Sequence, residues 1–128
     1  MRRNKIFTYG VFDLFHYGHL RALKKAQSLG NKLIIGVFTD RVATEFKRKP
    51  IVNEKDRYRL IKELKLGKVI MLDTIFPSEG FLHRNKIDIV AKARGAGWGD
   101  TIPQFRTAKS ILIPYTKGIS TSKIIKNL

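Results

Sequence analysis

Residues 6–19 read IFTYGVFDLFHYGH, an apolar run that ends in a glycine and continues into two histidines three positions apart. Residues 6–9 are apolar or β-prone and predict a strand, which Gly10 ends. Apolar residues then recur every three positions, so the spacing predicts an amphipathic helix over 18–29. Strand, turn and helix together form the unit from which parallel α/β sheets are built.

The rest of the chain repeats this alternation of short apolar runs and helical patterns. Strands are predicted over 33–38, 69–72, 87–90 and 110–113, and helices over 53–67, 77–84 and from residue 120 onward, with a helical turn at 104–105. We expect no regular structure over 47–50 or 95–100. Five parallel strands with helices between them predict a doubly wound α/β sheet in a single domain spanning 1–128.

Composition narrows the class of partner. The 128 residues include 26 Lys and Arg against 10 Asp and Glu, a formal net charge of +16. This excess predicts an anionic partner, with nucleic acid, an acidic membrane surface and small phosphorylated ligands all open. The absence of cysteine excludes disulfides, thiol nucleophiles and cysteine-based metal sites. No apolar run approaches the ~18 residues of a membrane span, so we expect a soluble, cytoplasmic protein.

His16 and His19 follow the first predicted strand, and ligands of doubly wound sheets bind where strands end. Because the two residues are three positions apart at the start of a helix, both imidazoles can face one object. Gly18 allows close approach to the backbone, and a helix N-terminus favours phosphate. The pair therefore predicts a phosphate-handling site. The alternatives are a zinc site, for which His83 would be the remaining imidazole, and two unrelated surface histidines.

Three further segments follow predicted strands. The basic run at 47–49 is either solvated or a mobile clamp over a polyphosphate. The run GAGWG at 95–99 does not complete a dinucleotide-binding G-x-G-x-x-G pattern, because Asp100 occupies the last position. Trp98 in this run either stacks on a base or anchors the core. The hydroxyl-rich segment 116–123 caps the tail helix, holds phosphate, or does both.

Residues 9–19, YGVFDLFHYGH, resemble the HxGH signature of the small nucleotidyltransferases, and ISTS at 119–122 resembles their ISTT signature. The similarity covers nearly the whole chain and points to the cytidylyltransferases, in particular those that act on glycerol 3-phosphate. It implies a Rossmann-like fold with helices on both faces of the sheet, and a homodimer. It also implies a magnesium-dependent reaction between CTP and a small phosphorylated alcohol. Glycerol 3-phosphate would give CDP-glycerol, a precursor for the cell envelope, and pyrophosphate.

The resemblance also implies roles for matching residues. His16 and His19 would stabilise charge at the α-phosphate, and Lys47 or Lys49 would supply a cation from a loop. No residue is expected to bind the metal, since Mg²⁺ would be held by the nucleotide phosphates. The residues expected to contact nucleotide or phosphate are Tyr9, Gly10, Val11, Phe12, Asp13, Gly18, Arg57, Trp98, Thr116, Gly118, Ile119, Ser120 and Thr121.

The chain departs from the cytidylyltransferase pattern in the loops expected to hold base and acceptor. Tyr115 replaces an Arg, Lys117 an acid, and residues 96–97 an acidic pair. Val11 replaces a Thr. One alternative is an ATP-dependent adenylyltransferase acting on a heptose-type sugar phosphate, since those enzymes also lack the Arg. A nucleotide-binding relative without turnover is another. A nucleic-acid-binding module is suggested by charge alone, and without interleaved aromatics we expect neither nucleic acid nor membrane insertion.

Overall fold

A five-stranded parallel sheet forms the centre of the computed structural model, which describes residues 4–93 and 103–113. The strand order is β3-β2-β1-β4-β5, and every pair of neighbours is parallel. The predicted doubly wound, Rossmann-like α/β fold is confirmed. The elements are β1 (Lys5–Gly10), α1 (Tyr17–Ser28), β2 (Lys32–Phe38), α2 (Asp40–Phe46), α3 (Glu54–Glu63), β3 (Lys68–Leu72), α4 (Glu79–Arg84), β4 (Ile89–Ala93) and β5 (Lys109–Ile113).

Each face of the sheet carries its own apolar core. Side chains of α1 and α3 pack on one face, and side chains of α2 and α4 pack on the other. The strands are apolar on both faces because helices cover both, as expected for a parallel sheet. The chain winds outward from β1 to β3 and then crosses to β4 and β5. The carboxyl ends of β1 and β4 therefore flank the switch point, where ligands of such sheets bind.

Helix α2 was not predicted from the sequence. Its N-cap is Thr39, whose side chain accepts the Val42 N–H at 3.3 Å, and Val42 and Ala43 are its buried residues. With seven residues, the helix is too short for its apolar positions to establish a 3.6-residue period. Residues 40–46, for which no element was predicted, therefore form a helix that ends at the basic segment. No helix or strand follows over 47–50, as predicted.

Two predicted boundaries and one predicted helical turn also differ from the structure. α3 ends at Glu63 rather than at residue 67. β4 begins at Ile89, because the Ile87 N–H donates to the carbonyl of Leu82 at 2.9 Å and closes the turn after α4. Residues 104–105 are not helical; the Arg106 N–H just after them donates to Glu79 at 2.8 Å. The loop predicted over 95–100 and the tail helix predicted from residue 120 lie outside the described residues.

Membrane insertion was not expected. None of the helices within residues 4–93 and 103–113 has the length and apolar character that crossing a bilayer requires.

Candidate active site

The turn between β1 and α1 has an unusual backbone. Phe12 and Leu14 have φ angles of 58° and 47°, in the left-handed region that residues with a side chain seldom adopt. Such conformations persist when surrounding packing enforces them, and they concentrate at functional sites. Here the packing comes from the Phe12 ring, which is buried in the core under α1. The core therefore holds the turn in the conformation that leads into the two histidines.

His16 and His19 cap the helix on which they lie. Nδ1 of His16 accepts the Gly18 N–H at 3.0 Å, and Nδ1 of His19 accepts the His16 N–H at 3.1 Å. The two bonds form a reciprocal capping box. An accepting nitrogen carries no proton, so these bonds assign the proton of each neutral ring to Nε2. The rings are stacked with centroids 3.9 Å apart, and the turn thus presents two neighbouring Nε2–H donors.

Burial keeps the two imidazoles neutral. The pKa of His19 is lowered to about 3, mainly by desolvation on burial; the charges of His16 and Lys47 contribute to this shift, and Asp13 opposes it. Burial also lowers the pKa of His16. At pH 7 both rings are therefore hydrogen-bond donors without a formal charge.

The depressed pKa of His19 predicts that acid destabilises the protein. The unfolded chain takes up this proton near pH 6.5, whereas the folded protein takes it up near pH 3. Between these values the unfolded state binds more protons, so the free energy of unfolding falls as pH falls, by at most about 1.4 kcal/mol per pH unit. Urea unfolding at several pH values between 7 and 4 measures this slope.

The control variants for this measurement are His19→Asn and His83→Asn. The first removes the titrating ring and should flatten the slope, whereas His83 is exposed on α4 and its replacement should leave the slope unchanged. Equal slopes in the wild type and His19→Asn would contradict the assignment.

Lys47 and Lys49 occupy different environments. Lys47 ends α2 as its C-cap residue, and it lies close enough to His19 for its charge to lower the pKa of that imidazole. Desolvation and the charge of Arg48 lower the pKa of Lys47 itself. Lys49, two positions further along, is exposed to solvent, as Lys47 is. The charge of Lys47 thus acts on His19, and contact of Lys47 or Lys49 with a ligand stays a prediction.

Asp13 lies within the protein rather than at a ligand surface. Its side chain is 2% exposed, and Oδ2 accepts both from Arg48 Nη1 and from the Ile51 N–H at 2.9 Å. Oδ1 accepts the Val52 N–H at 2.9 Å. Burial would raise the pKa of this carboxyl, but these bonds outweigh burial and hold the pKa below its ordinary value. The carboxylate thus contacts the loop after α2, and the expected contact with nucleotide or phosphate stays a prediction.

Arg57 also bonds inside the protein, at 1% exposure. Nη1 donates to the carbonyls of Val11 and Phe38, at 2.7 and 2.8 Å. Nε donates to the Val52 carbonyl at 2.9 Å, and Nη2 donates to Asp40 Oδ1 at 2.6 Å. The guanidinium therefore joins the ends of β1 and β2 to the loop before α3. These bonds give the side chain a structural role, and the expected contact with nucleotide or phosphate stays a prediction.

The sequence and the fold both match proteins of known class. Residues 7–127 match a family model described as cytidylyltransferase-like. The chain belongs to the cytidylyltransferase-like family. Glycerol-3-phosphate cytidylyltransferase of Bacillus spizizenii is 30% identical over 131 residues, which cover 97% of this chain and 96% of that protein. The expected resemblance to cytidylyltransferases is thus confirmed.

Other relatives of this cytidylyltransferase-like chain are longer. Choline-phosphate cytidylyltransferase 2 of Arabidopsis thaliana is 34% identical over 97% of this chain, and the bifunctional protein HldE of Methylobacillus flagellatus is 32% identical over 96%. The chain spans 44% and 26% of their respective lengths. A solved structure, the lipopolysaccharide core biosynthesis protein of Thermoplasma volcanium, matches with a TM-score of 0.72 and 25% identity, over 91% of this chain and 100% of that one.

The remaining predicted positions of this cytidylyltransferase-like chain divide into three groups. Tyr9 is buried, its hydroxyl has no hydrogen-bond partner among the described residues, and burial raises its pKa to about 12. A Cβ added at Gly10 would lie 3.2 Å from the Phe12 ring. The Gly18 N–H donates to Nδ1 of His16, as described. Trp98, Thr116, Gly118, Ile119, Ser120 and Thr121 lie outside the described residues.

Sequence reasoning did not single out Arg48 or Lys92. Arg48 was considered only as part of the basic run, and its ion pair with Asp13 is visible only in the structure. Lys92 is 1% exposed on β4, where it pairs with Leu112 of β5. A single Lys within an apolar strand was the available signal, because such a charge is seldom buried without a specific use.

Proposed function

We propose that the chain transfers a cytidylyl group from CTP to a small phosphorylated alcohol, best represented by glycerol 3-phosphate, with release of pyrophosphate. The observation that carries this proposal is the stacked pair of neutral histidines, which presents two Nε2–H donors at a helix start beside the switch point. A glycerol-3-phosphate cytidylyltransferase that matches over nearly its whole length supports the choice of substrates.

In this mechanism an oxygen of the acceptor phosphate attacks the α-phosphorus of CTP. A new P–O bond forms, the bond between the α-phosphorus and the bridging oxygen breaks, and pyrophosphate leaves with the electron pair. The attacking phosphate oxygen already carries negative charge at neutral pH, since the second pKa of a phosphate ester is about 6, so no general base is needed. This agrees with the bonding of the histidines, whose Nδ1 atoms already accept backbone N–H groups.

His16 and His19 would donate their Nε2–H groups to the α-phosphate oxygens as negative charge grows in the transition state. Preorganised donors of this kind commonly make the largest contribution to catalysis. Lys47, held near His19, would add a cation toward the triphosphate. The reaction thus depends on positioning and electrostatics, as in other phosphoryl transfers.

Mg²⁺ would be carried by the nucleotide phosphates, where it neutralises charge on the leaving pyrophosphate. The Nε2–H donors of the two histidines and the cation of Lys47 fit phosphate oxygens at the turn between β1 and α1, residues 11–16, which we call the histidine turn. The carboxylate of Asp13 in this turn already accepts from Arg48 and two backbone N–H groups. Within residues 4–93 and 103–113 no group of three or more His, Asp or Glu could hold a metal ion.

The family resemblance also underlies our proposal that the protein is a cytoplasmic homodimer. Light scattering would test the dimer.

The activity is tested by pyrophosphate release with magnesium, using CTP, ATP, GTP and UTP with glycerol 3-phosphate, phosphocholine, phosphoethanolamine and a sugar 1-phosphate. We expect turnover with CTP and glycerol 3-phosphate. His16→Asn, purified in parallel, serves as a blank for contaminating activity. Turnover with ATP and the sugar phosphate would instead support the adenylyltransferase alternative, which Tyr115 in place of Arg favours. Nucleotide binding without turnover in any pair would overturn the proposed reaction.

A further inference from the structure

The buried carboxylate of Asp13 connects the loop after α2 to the histidine turn through hydrogen bonds. Asp13 lies three residues before His16 and accepts from Arg48, Ile51 and Val52, each at 2.9 Å. We infer that Asp13 and Arg48 are positioning residues that hold residues 48–52 against the turn between β1 and α1, so that Lys47, which ends α2, keeps its position relative to the two histidines. This inference rests on the proposed function, because it assigns these residues a part in that reaction without contact to either substrate.

The loop is held from two sides. The Val52 N–H donates to Asp13, and the Val52 carbonyl accepts from Arg57 Nε at 2.9 Å. Arg57 also bonds to the Val11 carbonyl at the end of β1. The segment that follows Lys47 is thus tied at two points to the chain that leads into the histidines, which fixes where Lys47 leaves α2.

The charges in this cluster act on Lys47 in opposite directions. Arg48 lowers the pKa of Lys47, and Asp13 raises it. Asp13 also raises the pKa of His19, which Lys47 lowers. The carboxylate therefore offsets the positive charge of Arg48 and favours the charged form of Lys47, in addition to holding the loop.

Direct binding of a phosphate by Asp13 does not fit these observations. The carboxylate is 2% exposed and already accepts three hydrogen bonds. It carries negative charge, which repels a phosphate at short range. An effect of Asp13 on the reaction must therefore pass through the groups that it holds.

Asp13→Asn tests the inference, and Asp73→Asn is the matched control. Asp73 also pairs with an arginine, Arg41, at 2.8 Å, but on an exposed surface. We expect Asp13→Asn to lower kcat roughly 100-fold, the loss that a misplacement of about 1 Å can cause, with a smaller change in KM for CTP. Asp73→Asn should keep wild-type kcat. An unchanged kcat in folded Asp13→Asn would overturn the inference.

A double-mutant cycle with Lys47→Met distinguishes an effect of Asp13 on the position of Lys47 from a general disturbance of the structure. If Asp13 acts through Lys47, Asp13→Asn should cost less than about 3-fold once Lys47 is absent, because residues in one network are not additive. Multiplication of the two single effects would overturn the inference.

The pH profile of kcat/KM supplies a test with opposite signs. Removing Asp13 removes a charge that raises the pKa of Lys47, so the alkaline limb should move to lower pH in Asp13→Asn. Removing Arg48 has the opposite effect, and in Arg48→Met the limb should move to higher pH. Shifts in the same direction, or none, would overturn the electrostatic part of the inference. Arg48→Met also provides the test if Asp13→Asn does not fold.

Trypsin cleavage reports on the loop without any turnover. Cleavage after Lys47 or Arg48 should be slow in the wild type and roughly 10-fold faster in Asp13→Asn, because loss of the charge-assisted bonds to Asp13 lets this segment open more often. Equal rates would overturn the inference. If the wild type turns over no substrate pair but shows this protection, the proposed function fails while the fastening of the loop stands.

Discussion

His16→Asn is expected to lower kcat by roughly 10²–10³ while the protein remains folded. Asparagine is among the best N-cap residues, so its side chain can still accept the Gly18 N–H that His16 accepts at 3.0 Å. It cannot place a donor where Nε2–H of the imidazole lies. The variant therefore removes the catalytic donor and keeps the cap, and turnover measured beside a thermal melt separates the two roles.

Two companion variants complete this experiment. His16→Ala removes both donor and cap, so it should lose as much turnover as His16→Asn and also melt earlier, by the equivalent of about 1 kcal/mol. His83→Asn, on the exposed face of α4, should keep wild-type turnover. If His16→Asn retains near wild-type kcat, the imidazole is only a cap and the proposed mechanism is wrong.

Arg57→Met is expected to lower the free energy of unfolding by about 3–5 kcal/mol, because three carbonyls lose a buried donor at ~1–3 kcal/mol each, whereas Asp40, at 39% exposure, contributes little. Three carbonyls and Asp40 would lose the donor that each now has. Arg57→Lys should recover only part of the loss, since an ammonium cannot match the geometry of the planar guanidinium. Urea unfolding measures all three proteins.

Arg41→Met is the matched control for this stability measurement. Arg41 also bonds to two carboxylates, but its side chain is 56% exposed, and exposed ion pairs contribute little. Its replacement should leave the unfolding midpoint nearly unchanged. A loss below about 1 kcal/mol in Arg57→Met would show that the buried network is replaceable.

The sequence predicted the parts of the fold that follow from local periodicity. The strand and helix over 6–29 are visible in apolar spacing, and the position of His16 and His19 at the helix start follows from them. The parallel sheet with helices on both faces follows from the alternation of such units. These features depend on neighbours along the chain, which a single sequence displays.

The roles of Asp13 and Arg57 could not be read in the same way. Asp13 meets partners 35 to 39 positions away, and Arg57 bonds to carbonyls 19 and 46 positions away. A charged residue next to a motif has the same sequence signal whether it faces a ligand or closes a network. Only the packing of α2 and α3 on the sheet decides between these outcomes, and α2 itself is too short to show a period.

The reciprocal cap of α1 has a consequence for how the protein responds to heat. Helix ends fray before helices melt, and in most proteins such fraying does not affect function. Here the atoms that close the first turn belong to the same two rings that would hold the substrate, so fraying of this turn and loss of the reactive arrangement are one event. Turnover would therefore decline at temperatures where the sheet is still intact, and the working range of the protein would be set by a single turn of helix.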